Sequence, residues 1–152
     1  MITLSFRVDG LPKGQPRVKA ARRGGFVSIY TPGTAKDWKR AVHQAAVTAE
    51  AKVTCPSPVF TGPVELILRF WMPRPKSHLN SKGSTKSNAP RWHTAKPDFD
   101  NLAKAVCDVL TDNPKKKHKG IWRDDAQIVF STITKEYGSN PGCEITIRQV
   151  EP

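Results

Sequence analysis

Lys96-Pro97-Asp98-Phe99-Asp100-Asn101-Leu102-Ala103-Lys104-Ala105-Val106-Cys107-Asp108-Val109-Leu110 is the stretch on which the reading of this chain turns. Leu102, Val106, Val109 and Leu110 recur at helical spacing, which predicts a helix from Asp98 to about Leu110 with one apolar stripe toward a core. Asn113-Pro114 ends it. Residues four apart share a helix face, so Asp100, Lys104 and Asp108 form a row away from that stripe. Asp98 would lie about 200° from Asp100 if both were helical, so it can share a site with Asp100 only from the N-cap. Pro97 supports that placement. A second acidic pair follows in Trp122-Arg123-Asp124-Asp125, at a loop-to-strand junction.

Working outward, Val64 to Met72 alternates with Val64, Leu66, Leu68 and Phe70 on one face and is the strongest strand signal. Ile2 to Val8 has the same period. The segment near residues 13–25, basic and glycine-rich, reads as a mobile loop, from which Phe26, Val27, Ile29 and Tyr30 return as a short strand. Thr34, with Asp37 three residues on, predicts the N-cap of a helix carrying Trp38, Val42, Ala45, Ala46 and Ala49 on one face. That helix ends before Pro56 and Pro58. Residues 74–97, rich in Pro, Ser, Lys, Asn and Gly, predict a long flexible loop, and 113–120 a lysine-rich one. Gln127 to Thr134 and Glu144 to Val150 read as closing strands joined as a hairpin through Gly138-Ser139-Asn140-Pro141-Gly142. The expectation is a single α+β domain over residues 1–152, a mixed β-sheet with two main helices packed on one face.

The 152 residues suffice for one core and are too short for two comfortable domains. Twenty-five Lys and Arg against 13 Asp and Glu give a net charge of +12, which points to nucleic acid or an anionic membrane surface. Membrane attachment has little support: no apolar run approaches 18 residues, and neither a signal-peptide core behind Met1 nor a lipidation motif is present. Cys55, Cys107 and Cys143 are odd in number and form no C-x-x-C, which argues against a disulfide framework or a zinc site and for a reducing, cytoplasmic setting. His43, His78, His93 and His118 lack ligand spacing and are expected on the surface or in loops, with His93 the one to test as an auxiliary group. Trp38, Trp71 and Trp122 are expected in a core or interface. Trp92 is a candidate for stacking on an unpaired base, and Phe99 is either hidden by the fold or inserted into the substrate.

In so basic a chain, two pairs of Asp flanking one short helix suit a metal-dependent enzyme acting on a polyanion, because the ion needs oxygen ligands and the substrate positive surroundings. Each motif alone also has a plainer reading. An Asp at an N-cap, an acid in a first turn, an Asp100–Lys104 ion pair and a solvated Asp124-Asp125 turn are all ordinary. For phosphate contact the candidates are Lys13, Arg17, Lys19, Arg22, Arg23, Lys115, Lys116, Lys117 and Lys119, all in segments beside the acids. No G-x-x-x-x-G-K-[ST] loop is present.

The pattern K-P-D-x-D-N-L-x-K-x-x-x-D-x-L followed by W-x-D-D-x-Q-[IV] resembles the RusA-like Holliday junction resolvases of bacteria and their phages. The chain supplies it from Lys96 to Ile128, with looser likeness in Pro12 to Arg17 and Tyr30 to Pro32. The resemblance implies that Asp98, Asp100 and Asp125 are the essential carboxylates holding Mg²⁺, for which Mn²⁺ can substitute. It implies that Asp124, a further candidate in the metal site, assists or orients and that Lys104 meets the scissile phosphate. It further implies a homodimer that resolves four-way junctions and related branched DNA by paired nicks with 5′-phosphates, in recombination and repair, in a bacterial cytoplasm with a prophage origin open. Two other readings stay open, a broader flap or fork nuclease and a non-catalytic DNA-binding module. The long 74–96 segment, the lysines of 113–120 and Gln15, often basic in relatives, depart from the compact pattern.

Overall fold

Val64–Pro73 (β4) buries every second side chain, Val64, Leu66, Leu68, Phe70 and Met72, at 0–3% exposure, and both of its edges are paired. Burial of each such side chain is worth about 1.5–3 kcal/mol, which makes this strand the natural centre of a sheet. Thr3–Asp9 (β1), Gly142–Gln149 (β6), β4 and Ile128–Gly138 (β5) form that sheet in the order β1-β6-β4-β5. The computed structural model describes residues 1–54 and 58–152; Cys55 and Pro56 lie outside the described residues.

Helix α1 (Lys36–Glu50) packs on β1, helix α2 (Phe99–Leu110) touches β5, and the two helices contact each other. Both therefore lie on one face of the sheet, as expected. Trp38, Val42, Ala46 and Ala49 of α1 meet Leu102, Ala105 and Val106 of α2 in the same core as β4. The outer face carries Glu65, Arg69 and Arg148. Helix α1 begins after a 3₁₀ turn, Gly33–Ala35, and its N-cap is Ala35 without a side-chain bond, so the expected Thr34 cap is corrected. The turn closes on Gly33 O through the Lys36 N–H and moves the helix start past Thr34.

Three loop expectations change. Lys19–Arg23 (β2) pairs antiparallel with Phe26–Tyr30 (β3) across Gly24-Gly25, so the 13–25 loop contains a strand that local composition hid. Residues 74–97 carry structure of their own and run back along β5. The His93 N–H donates to Lys135 O (3.1 Å), the Tyr137 N–H to Arg91 O (2.9 Å), and Arg91 is ion-paired to the buried Glu136 at 3.0 Å. Finally, β5 and β6 are not a hairpin. β4 separates them, running parallel to β5 and antiparallel to β6. A parallel pair needs a long crossover, which α2 and its flanking loops supply, and the chain then passes the end of β4 to reach its other edge.

Candidate active site

The N-terminus of α2 is held by an anchor on β5. Lys135 donates from Nζ to the carbonyls of Ala95 (2.8 Å) and Pro97 (2.6 Å), fixing the turn from which Asp98 emerges. Burial holds the Lys135 pKa below its ordinary value, with the Asp98 carboxylate acting in the opposite sense. Asp98 occupies the N-cap position, as expected, with extended backbone, and its carbonyl accepts from Leu102 N at 3.1 Å. Its carboxylate makes no capping bond. Phe99, between the acids, is 59% exposed.

Along α2, Asp100, Lys104 and Asp108 face solvent while Leu102 and Val106 are fully buried. Lys104 pairs with Asp108 (3.7 Å), and Lys39 of α1 meets the same carboxylate at 3.6 Å. Asp100 has no ion pair or side-chain hydrogen bond among the described residues, so the ordinary Asp100–Lys104 pairing is absent.

In the second acidic motif the side chains of Trp122, Asp124 and Gln127 have structural work. Trp122 is fully buried and donates from Nε1 to Thr111 Oγ1 at 2.9 Å. Gln127 donates to the carbonyls of Gly62 (2.7 Å) and Phe60 (3.3 Å) and accepts from the N–H groups of Arg123 and Asp124. Asp124 caps the 3₁₀ turn Asp125–Gln127, accepting from Ala126 N at 2.9 Å in a capping box. Asp125 is exposed; its carbonyl accepts from the Ile128 N–H, while its carboxylate has no partner among the described residues. Gly120 makes this approach possible: a β-carbon there would collide with the backbone of Leu110, Thr111 and Asp112. Ile121 N donates to Leu110 O at 2.7 Å, which brings the motif to the C-terminal end of α2.

Asp125, Asp124 and Asp108 line an open cleft of about 830 Å³ with Gln15, Lys39, Lys116 and His118. Asp98 and Asp100 lie outside its lining. The Cys107 thiol senses the same neighbourhood: burial first, then Asp125 and Asp108, push its pKa up to about 12. The chemistry of Asp98, Asp100 and Asp125, hard oxygen donors without internal partners, fits a divalent cation. Their placement is looser, for among the described residues no three His, Cys, Asp or Glu side chains gather at metal-holding distance.

The family profile described as Endodeoxyribonuclease RusA matches residues 9–148. The chain belongs to the RusA endodeoxyribonuclease family. The uncharacterized protein YqaN of Bacillus subtilis (strain 168) is similar to it, 34% identical over 153 residues that cover 99% of each chain. Membership of the RusA family supports an endodeoxyribonuclease activity.

The basic candidates divide into two groups around these acids. Gln15 N donates to Asn101 O at 2.9 Å, and Gly14 lies against Asn101 and Pro97, so Lys13 and Arg17 flank the start of α2. Lys19, Arg22 and Arg23 continue onto the β2–β3 hairpin. Lys115, Lys116 and Lys117 are exposed on a tight loop closed by Asn113 and His118, with exposed Lys119 just beyond it, near the other end of the helix. No helix of the described residues is long and apolar enough to cross a membrane.

Nothing in the sequence singles out Lys135, whose role exists only once β5 lies beside the turn before α2. His93, expected on the surface or in a loop, is 9% exposed and packs edge-on against Tyr137, with Nδ1 lacking a partner among the described residues. Burial and then Lys135 lower its pKa, which favours the neutral imidazole. Trp38 and Trp122 are in the core as expected. Cys107 and Cys143 are buried and free.

Proposed function

We propose that this RusA-family chain is a Mg²⁺-dependent, structure-selective endonuclease that resolves four-way DNA junctions by paired nicks in opposed strands. One observation supports it above others. Asp98, Asp100 and Asp125 present exposed carboxylates without an ion pair or hydrogen bond among the described residues, whereas Asp124, next to Asp125 in the chain, is engaged as a cap. Three acids without a direct ion pair on a +12 chain are costly for a surface that attracts polyanions unless they do chemistry. This weighs against the purely DNA-binding reading, in which the acids would be caps and turns.

In this proposal Asp98, Asp100 and Asp125 hold Mg²⁺ or Mn²⁺, which supplies Lewis-acid polarisation of the scissile phosphate when bound. Asp124 orients the turn carrying Asp125. Lys104, its side chain 61% exposed and only loosely paired, meets the phosphate and offsets the charge developing on its oxygens. Lys13, Arg17, Lys19, Arg22, Arg23 and the four lysines of 115–119 contact phosphates of the bound DNA. Paired nicks require two active sites related by a two-fold axis, hence a homodimer acting in recombination and repair in the cytoplasm. Val129 and Phe130, 52% and 62% exposed on the edge strand β5, offer an apolar surface for that second copy.

The test is cleavage of an end-labelled mobile four-way junction in Mg²⁺, against linear duplex, EDTA and the Asp100→Asn protein. Symmetrical nicks lost in both controls are expected. Nicks confined to flaps or forks would select the broader nuclease, and tight binding without cutting in Mg²⁺ or Mn²⁺ would overturn the catalytic assignment.

A further inference from the structure

The β2–β3 hairpin stands apart from the main sheet, and all five residues of β3 are exposed. Its register places Lys19 opposite Tyr30, Ala21 opposite Ser28 and Arg23 opposite Phe26. Because side chains alternate along a strand, these six share one face of the ribbon. On that face two cation–aromatic pairs flank one pair of small residues, about 13 Å apart along the strands. Phe26 is 83% and Tyr30 49% exposed. The opposite face pairs Ala20 with Ile29 and Arg22 with Val27.

Large aromatic rings left in water mark a contact surface. The cation opposite each ring decides the kind of partner. An aromatic platform with a neighbouring positive charge suits an unstacked base and its phosphate, since every base has a π-face and every linkage an anion. A protein partner of ordinary composition would leave Lys19 and Arg23 uncompensated. The hairpin is also tethered at the right place, for the segment leading into it is bonded to Asn101 and lies against Pro97, next to Asp98 and Asp100. Trp92 is less suited, because Arg91 already covers its ring at 4.5 Å.

We propose that the Lys19–Tyr30 hairpin receives unpaired nucleotides of a branched DNA, with bases stacked on Phe26 and Tyr30 and phosphates on Arg23 and Lys19. The proposal rests on the nuclease reading and gives it a means of telling a branch point from plain duplex.

The experiment measures binding of the full chain by fluorescence anisotropy in Ca²⁺ without Mg²⁺, using a four-way junction, a single strand and a linear duplex across a salt series. Phe26→Ala/Tyr30→Ala should weaken junction and single-strand binding on the order of tenfold or more, with the salt slope and duplex affinity little changed. Lys19→Ala/Arg23→Ala should instead reduce the salt slope by about two. The conservative Phe26→Trp/Tyr30→Phe protein should bind like the unaltered one, which separates stacking from a misfolded ribbon. Junction and single-strand affinities unchanged in the alanine double variant would overturn the proposal. So would loss of self-association in that variant by sedimentation, which would make the hairpin a surface between copies. If the nuclease reading itself is wrong, the unaltered protein leaves junctions uncut in Mg²⁺, while single-strand binding still decides the role of the hairpin.

Discussion

Replacing Lys135 by Met keeps the length of the side chain and removes its ammonium. The structure sets the size of the effect. Two bonds are lost, to Ala95 O at 2.8 Å and Pro97 O at 2.6 Å. A hydrogen bond made by a charged donor contributes roughly 1.5–3 kcal/mol, an upper sum of about 3–6 kcal/mol. Lys135 is only partly buried, and the carbonyl of exposed Ala95 can regain water, so the expected loss is about 2–3 kcal/mol. In urea unfolding this lowers the midpoint by roughly 1–2 M with the slope unchanged. Nicking should fall further than the folded fraction explains, because the turn that presents Asp98 loses its anchor, and Lys135→Arg should recover part of both. A loss below about 0.5 kcal/mol, the range of an ordinary surface substitution, would refute the anchoring role.

Other outcomes follow from particular contacts. His93 has a folded pKa below its ordinary 6.5, through burial and then Lys135, so below pH 6.5 the unfolded chain takes up a proton that the folded chain resists. Stability should be full above that pH and fall on acidification toward the lowered value, and thermal melts from pH 8 to 5 should show a flatter profile for His93→Gln. Gly120→Ala forces a β-carbon into the backbone of Asp112 and Leu110 and should cost on the order of 3 kcal/mol or more, read as a fall in Tm or as insoluble protein. The Cys107 thiol, buried and with a pKa near 12, should resist iodoacetamide in native protein at pH 8 and react after unfolding, as peptide mapping by mass spectrometry would show.

Much of this fold is legible in the sequence where one period dominates. The alternation of Val64, Leu66, Leu68 and Phe70 marks the central strand, and the stripe of Leu102, Val106, Val109 and Leu110 marks α2, because burial on one side imposes both patterns. Pairing is another matter. Gly138 to Gly142 has the composition of a hairpin turn, yet the edge it leads to is chosen by β4, whose apolar face rewards a neighbour on each side. β2 was hidden because Lys19, Arg22 and Arg23 carry no apolar alternation; it exists through its partner β3. The acids illustrate both limits. Spacing marks Asp98, Asp100, Asp124 and Asp125 as a set, and the family resemblance ranks Asp125 above Asp124; the geometry supplies a physical reason, an Asp124 carboxylate bonded to Ala126 N and an Asp125 carboxylate without a partner among the described residues.

That separation leads to the most direct measurement, junction nicking by Asp125→Asn and Asp124→Asn proteins side by side, with folding checked by circular dichroism. Asn serves nearly as well as Asp at an N-cap, so Asp124→Asn should retain nicking within about tenfold. Asp125→Asn should fold normally and lose at least about a hundredfold, or roughly 2.7 kcal/mol of transition-state stabilisation. Undiminished nicking by Asp125→Asn, or equal collapse of both proteins, would contradict the account.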